Sequence, residues 1–202
     1  MKIKLISMGL LLTSLACNLF TFSEGASVVN QPAMAEAENH SEVQMGELYR
    51  SGGGGFSFLT LPSYEIDEVQ GRVSMFPTPS DEQSGPYIML TGRLAEENIT
   101  LAQALNYTQK ANSSSVFAEA KDIIVQGLPA ISVRYTRPYH AIDGVIMDYY
   151  GAEEGEEIQG WFVLVEVVPG HIFRLEMYAP SQQWQELLPL FEAVLYSLRF
   201  TE

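Results

Sequence analysis

Beyond residue 55 the chain is dominated by alternation of apolar and polar positions, the period of a β-strand with one face covered. "FSFL" (Phe56–Leu59) reads as a first strand and is closed by Pro62. After a polar connection, "EIDEVQG", a second strand is predicted at Arg72-Val73-Ser74-Met75-Phe76. "PTPSDEQSGP" then supplies turn residues, and "YIMLTGR" resumes as a third strand. "DIIVQGLPAISVRYTR" predicts two strands around Gly127-Leu128-Pro129, with Ile131, Val133 and Tyr135 alternating against Ser132, Arg134 and Thr136. The pattern weakens from Pro138 to Gly160, where "VIMDYY" is a candidate strand and "GAEEGEEIQG" reads as a loop. "WFVLVEVV" and "HIFRLEMYA" flank Pro169-Gly170, a turn dipeptide, and form the clearest hairpin. Trp161–Val168 is apolar at nearly every position, as expected of a strand covered on both faces.

Two segments carry the helical period instead. In "TLAQALNYTQKAN", Thr100 is placed to cap the N-terminus, Gln103 completes a capping box, and Leu101, Ala104, Leu105 and Thr108 share one face. Near the C-terminus Trp184, Leu187, Leu188, Phe191, Val194, Leu195 and Leu198 recur at helical spacing, with Ser181 as a candidate cap. Pro189 implies either a kink or a new first turn. Runs of strands without strict strand–helix alternation predict an α+β fold: a central antiparallel sheet of about six to seven strands with helices on both faces.

The four glycines Gly52–Gly55 raise a separate question. A phosphate cradle of the Walker type needs lysine and a hydroxyl residue directly after its last glycine, and a dinucleotide turn lies between strand and helix. Here Phe56-Ser57-Phe58 follows, so the run reads as a flexible joint ahead of the first strand.

Charge narrows the function. The 25 Asp and Glu outnumber 11 Lys and Arg, for a formal net charge of −14. Such a surface repels phosphate backbones and anionic headgroups, which argues against nucleic acid and leaves covalent or helical attachment as the route to a membrane. With 47% hydrophobic residues the chain has ample apolar surface for one core. The lone cysteine, Cys17, excludes an intrachain disulfide.

Residues 1–22 carry Lys2 and Lys4 followed by an apolar run from Leu5, the pattern of an export signal. Three readings of its fate stand side by side. Thr13-Ser14-Leu15-Ala16-Cys17 resembles a bacterial lipobox, which makes Cys17 a candidate for lipid attachment; Ala33-Met34-Ala35 fits A-x-A cleavage; Leu5–Phe22 is also near the length of an uncleaved anchor. All three place the domain outside the cytoplasm, in the periplasm or cell envelope or secreted. Residues 23–50, rich in Ala, Glu, Ser, Asn and Gln, read as a polar tether, and residues 51–202 as the globular domain.

Candidate chemistry is sparse. No G-x-S-x-G, H-E-x-x-H, Walker or Cys-x-x-Cys sequence is present, and His40, His140 and His171 stand apart. No catalytic residue, cofactor or metal ligand is therefore assigned. His140 with Asp143 and Asp148 is the nearest approach to a metal set, and Glu153, Glu154, Glu156 and Glu157 form an acidic loop that suits solvated carboxylates better than a calcium site. Tyr135, Tyr139, Tyr149 and Tyr150 are candidates for a binding surface or for cross-strand packing. Three N-x-S/T sequons, at Asn98, Asn106 and Asn112, matter only on a eukaryotic secretory route.

The order of these segments resembles PsbP-like domains. "GFSFLTLPSYEIDE" is similar to their opening, "VQGLPAISVRY" to their central hairpin, "GWFVLVEVVPGHIFRLEMYAP" to their late hairpin and "WQELLPLFEAVLYSLRF" to their closing helix. Tyr64 stands where the family commonly has tryptophan, and 137–160 follows no family pattern. The resemblance, which extends to the structurally similar Ran-binding Mog family, implies an α/β/α sandwich and a role in binding a protein partner or in assembly, without catalysis. A weak calcium-binding module, and a hydrolase with a site assembled from distant residues, are the alternative expectations.

Overall fold

The computed structural model describes residues 43–77, 87–95, 98–139 and 155–201. In chain order these form β1 (Leu48–Arg50), β2 (Phe56–Leu59), β3 (Tyr64–Val69), β4 (Arg72–Pro77), β5 (Tyr87–Ala95), α1 (Leu101–Ala111), β6 (Val116–Phe117), β7 (Lys121–Val125), β8 (Leu128–Pro138), β9 (Glu157–Val168), β10 (His171–Pro180), α2 (Trp184–Ser197) and β11 (Arg199–Phe200). The fold is α+β, mostly strands with two helices among the described residues.

The strands fall into two antiparallel sheets, which corrects the expected single sheet of about six to seven strands. The larger runs β3-β4-β5-β10-β9-β8-β6, with β7 also paired to β8; the smaller runs β1-β2-β11. The division has a local cause. After β2 the chain turns through Pro62, which offers no backbone donor, and Ser63, held at φ 64°, so β2 does not continue beside β3. It pairs instead with Leu48–Arg50 on one edge and Arg199–Phe200 on the other.

Two further expectations are corrected at this end of the chain. Leu48–Arg50, assigned to the tether, is strand β1. "EIDEVQG", read as a connection, is mostly β3, paired residue for residue with β4 from Tyr64↔Pro77 to Val69↔Arg72. The turn between them uses Gln70 (φ 52°) and Gly71 (φ 76°), the left-handed pair of a tight hairpin.

The glycine run is an ordered turn between β1 and β2, and the flexible-joint reading is corrected. Ser51 N–H donates to Phe56 O at 3.0 Å and closes the turn. Gly52 and Gly53 each donate a backbone N–H to the Glu68 carboxylate at 3.1 Å. Ser51 Oγ donates to Glu68 Oε1 at 2.8 Å, and the Tyr49 hydroxyl donates to Oε2. Tyr49, Ser51 and the two glycine amides hold the Glu68 pKa down at about 2, against the upward push of burial. Gly71 packs against the same turn: a Cβ there would lie 3.0 Å from Gly53 O.

The larger sheet is covered on both faces around β9 and β10. Successive residues of a strand point to opposite faces, and Leu164 and Ile172 meet Leu101, Ala104 and Leu105 of α1, whereas Val163, Val165, Phe173 and Leu175 join Phe191, Val194 and Leu195 of α2. This explains the apolar run Trp161–Val165 of β9. Phe56 and Phe200 of the smaller sheet close edge-on upon Phe173, with ring centres 5.0 and 5.1 Å away. Each fully buried phenylalanine contributes about 2 kcal/mol through the apolar area it removes from water.

Both helix starts test the sequence reading. Thr100 Oγ1 accepts from Gln103 N at 3.2 Å and Gln103 Oε1 accepts from Thr100 N at 2.8 Å, so α1 begins on the expected capping box. α2 begins two residues later than expected: its N-cap is Gln183, with no side-chain cap, and Ser181 Oγ donates to Glu157 Oε1 at 2.9 Å instead. The helix runs from Trp184 to Ser197 through Pro189. The β9–β10 hairpin turns at Pro169-Gly170, as read from the sequence.

Candidate functional site

The face of β8 that looked polar in sequence carries the site. Ser132, Arg134 and Thr136 alternate with buried Val133 and Tyr135, but their face is roofed by the start of α2. Between β6, β8, β9 and that helix lies a groove of ≈ 460 Å³, walled by Phe117, Arg134, Gly160, Trp184, Gln185 and Leu188 among others.

Arg134 is its central charge. The guanidinium carbon lies 4.2 Å from the ring centre of Trp161 on β9 and 5.0 Å from that of Trp184 on α2. Indole faces attract a cation through their quadrupole, and Trp161 is itself fixed by donating Nε1–H to Ser132 Oγ at 2.7 Å. Burial pushes the Arg134 pKa down and Glu192 on α2 raises it; an arginine stays charged throughout the physiological range. No hydrogen bond or salt bridge among the described residues engages its guanidinium. A planar fork of N–H donors is thus half-buried against two aromatic faces, with no acceptor among the described residues.

The opposite face beneath the groove is fixed by a buried pair. Tyr135 donates its hydroxyl to Glu176 Oε1 at 3.0 Å, and Arg174 Nη2 stands 3.6 Å from Glu176 Oε2. Burial pushes the Glu176 carboxyl up, Arg174 and the Tyr135 hydroxyl pull it down, and the net shift is upward. Gly160 lies opposite Tyr135 in the β8–β9 ladder, and a Cβ there would stand 2.0 Å from Tyr135 Cζ. The glycine is there because the tyrosine ring occupies its side-chain space.

The residues singled out from sequence are placed as follows. Cys17, His140, Asp143, Asp148, Tyr149, Tyr150, Glu153 and Glu154 lie outside the described residues. Glu156 and Glu157 turn toward the start of α2, where Glu156 Oε1 accepts from Gln182 Nε2 at 3.4 Å and Glu157 from Ser181. Tyr135 and Tyr139 are buried packing residues. Glu157 belongs to β9, so the loop read over "GAEEGEEIQG" ends before it. Among the described residues no group of three or more His, Cys, Asp or Glu is placed to hold a metal ion. Sequence reasoning passed over Arg134, Trp161 and Trp184; the available signal was a cation at a strand position whose in-line neighbours Ala130 and Ser132 turn toward an apolar helix.

No protein-family model matches the sequence, and no curated protein matches it. Solved structures do. The Ran-binding protein Mog1p of Saccharomyces cerevisiae superimposes with a TM-score of 0.52 at 8% identity, over 79% of this chain and 97% of its own. The chain shares the fold of Mog1p. LpqN of Mycobacterium tuberculosis, described as involved in cell envelope biogenesis, gives 0.51 at 14% identity over 79% and 91%. Cyanobacterial PsbP from Synechocystis gives 0.50 at 10% identity over 81% and 96%. The resemblance to PsbP-like domains read from the segment order therefore holds at the level of fold.

Proposed function

We propose that this chain is an exported, non-enzymatic domain that binds a protein partner, or assists an assembly, through the Arg134 groove. The observation that carries the reading is the guanidinium of Arg134, set against two indoles, with Glu192 of α2 as a nearby charge and no hydrogen-bond acceptor among the described residues. A charge held that way is placed to meet something from outside, because a buried or half-buried cation is ordinarily matched within the fold. The naming of one structural neighbour as Ran-binding and of another as involved in cell envelope biogenesis supports a contact role.

Export rests on residues 1–22 and on the three fates proposed for them, acylation at Cys17, cleavage after Ala35 or retention as an anchor. Among the described residues no helix is long and apolar enough to cross a membrane. In this reading the tether, expected over residues 23–50, ends before Val43, because Val43 and Met45 pack against the core and Gly46 and Glu47 pair with Thr60.

The test places a photo-crosslinking amino acid at Val116, on the groove rim, in the full chain within its native membranes. A covalent adduct mapped by mass spectrometry to one partner segment is expected, and the adduct should vanish when the crosslinker sits at Tyr107, which is exposed on α1 away from the groove. Equal labelling from both positions, or none from Val116, overturns the reading. Mass spectrometry of the mature N-terminus, with Cys17→Ser alongside, decides among the three fates.

A further inference from the structure

The groove's chemistry restricts its occupant. Arg134 offers a rigid fork of N–H donors whose geometry matches a carboxylate, with two parallel hydrogen bonds available. Its indole neighbours have ring centres 4.2 and 5.0 Å from the guanidinium carbon. Around it the walls are mainly apolar, from Val116, Trp184 and Leu188, with the amides of Gln159 and Gln185 as neutral polar contacts. One rim is β6, an outer strand of the larger sheet. There Val116 is 72% exposed. The outward edge of such a strand presents main-chain groups that an extended backbone can pair with.

The overall charge adds a second restriction. A chain of net charge −14 repels an acidic tract at long range, so recognition of negative charge here has to be local and single. One carboxylate on an otherwise apolar segment satisfies both conditions.

We infer that the Arg134 groove binds an extended, mostly apolar protein segment through one aspartate or glutamate carboxylate, paired to the Arg134 fork between Trp161 and Trp184, with the segment's backbone lying along β6. This rests on the protein-binding reading above and deepens it. Trp161 and Trp184 are the only tryptophans of the chain, so tryptophan emission, as distinct from that of its tyrosines, reports on the surroundings of Arg134.

The test uses the full chain and fluorescein-labelled hexapeptides of valine and alanine with one central glutamate, read by anisotropy and by tryptophan emission. The glutamate peptide should bind and alter the emission, its glutamine counterpart should bind at least tenfold more weakly, and Arg134→Lys should weaken the glutamate peptide about tenfold, because a point charge lacks the planar fork. Arg134→Met should abolish the difference between the two peptides while leaving the thermal transition in place. Equal binding of the two peptides overturns the inference, as does absence of any binding at millimolar peptide. Displacement by inorganic phosphate at lower concentration than by acetate overturns it in favour of a phosphate site. Failure here is separable from failure of the broader reading: a partner crosslinked at Val116 through a segment with no carboxylate refutes the inference and leaves the binding domain standing.

Discussion

Glu68 and Arg134 are two charges on β-strands of the same sheet, both half-buried, and the fold treats them in opposite ways. Glu68, on the edge strand β3, receives two hydroxyls and two backbone amides from the glycine turn. Its pKa falls to about 2 and its charge is consumed in joining the smaller sheet to the larger. Arg134, on β8, receives two aromatic faces and no hydrogen-bond acceptor from the described residues. The first arrangement is a structural joint, because every donor is supplied by the chain. The second is an open valence, which is why the functional reading settles on the arginine and leaves aside the glycine run that first draws the eye.

The comparison can be broken at several points. Gly160→Ala forces a Cβ into the Tyr135 ring beneath the Arg134 groove; overpacking of that kind should cost about 3 kcal/mol and lower the thermal midpoint by about 10 °C. A shift below about 2 °C would show that the ring has room to move and that the groove floor is soft.

Glu68→Gln should cost about 2 kcal/mol at pH 7, as charge-assisted bonds from four donors become weaker neutral ones. The pH dependence has a defined sign. Since the folded-state pKa lies near 2 and the unfolded value near 4.5, the contribution is complete above about pH 5 and is lost as pH falls toward 2. Urea unfolding of the two proteins at pH 7, 4 and 2.5 should show the gap between them closing; a constant gap would mean that the carboxylate's charge is not what the turn recognises.

Tyr49→Phe removes one of those donors and should cost about 1 kcal/mol. In a Glu68→Gln background the same change should cost measurably less, since the two groups share one interaction. Strict additivity would separate Tyr49 from the cradle.

Arg134→Met should be the mildest for stability, within about 1 kcal/mol, because the lost cation–π attraction and the attraction to Glu192 are offset by relief of desolvating a guanidinium that has no hydrogen-bond acceptor among the described residues. A loss comparable to that of Glu68→Gln would make Arg134 a structural charge too, and the contrast would disappear.

What could be read from sequence divides along the same physical line. The capping box of α1 was legible because Thr100 and Gln103 satisfy each other within one turn, and the β9–β10 hairpin because its strands are joined by a turn dipeptide and share a continuous apolar pattern. The order of hydrophobic segments was enough to suggest the fold that Mog1p and PsbP also have. β3 was missed because Glu68 occupies an inward position: a carboxylate there reads as part of a polar connection unless its donors, one strand back in the chain, are known. The glycine turn was missed for the reciprocal reason. The split into two sheets was illegible since β2 has the same alternation as its neighbours, and only the corner at Pro62 and Ser63 sends it elsewhere. The groove depends on three residues from three elements, and nothing local to Arg134 announces that helix α2 roofs it.

The cradle around Glu68 also fixes where the molecule may be shortened. A cut at Gly52, where composition invites one, would discard Tyr49 and Ser51 and expose the ring of Phe58, which Tyr49 covers at 5.4 Å between centres. It would also strip β2 of an edge partner and leave a bare strand ready to pair between molecules. The usable boundary for preparing the folded domain lies before Val43, since Val43 and Met45 pack against the core and the Gly46 amide reaches Thr60 O at 2.7 Å.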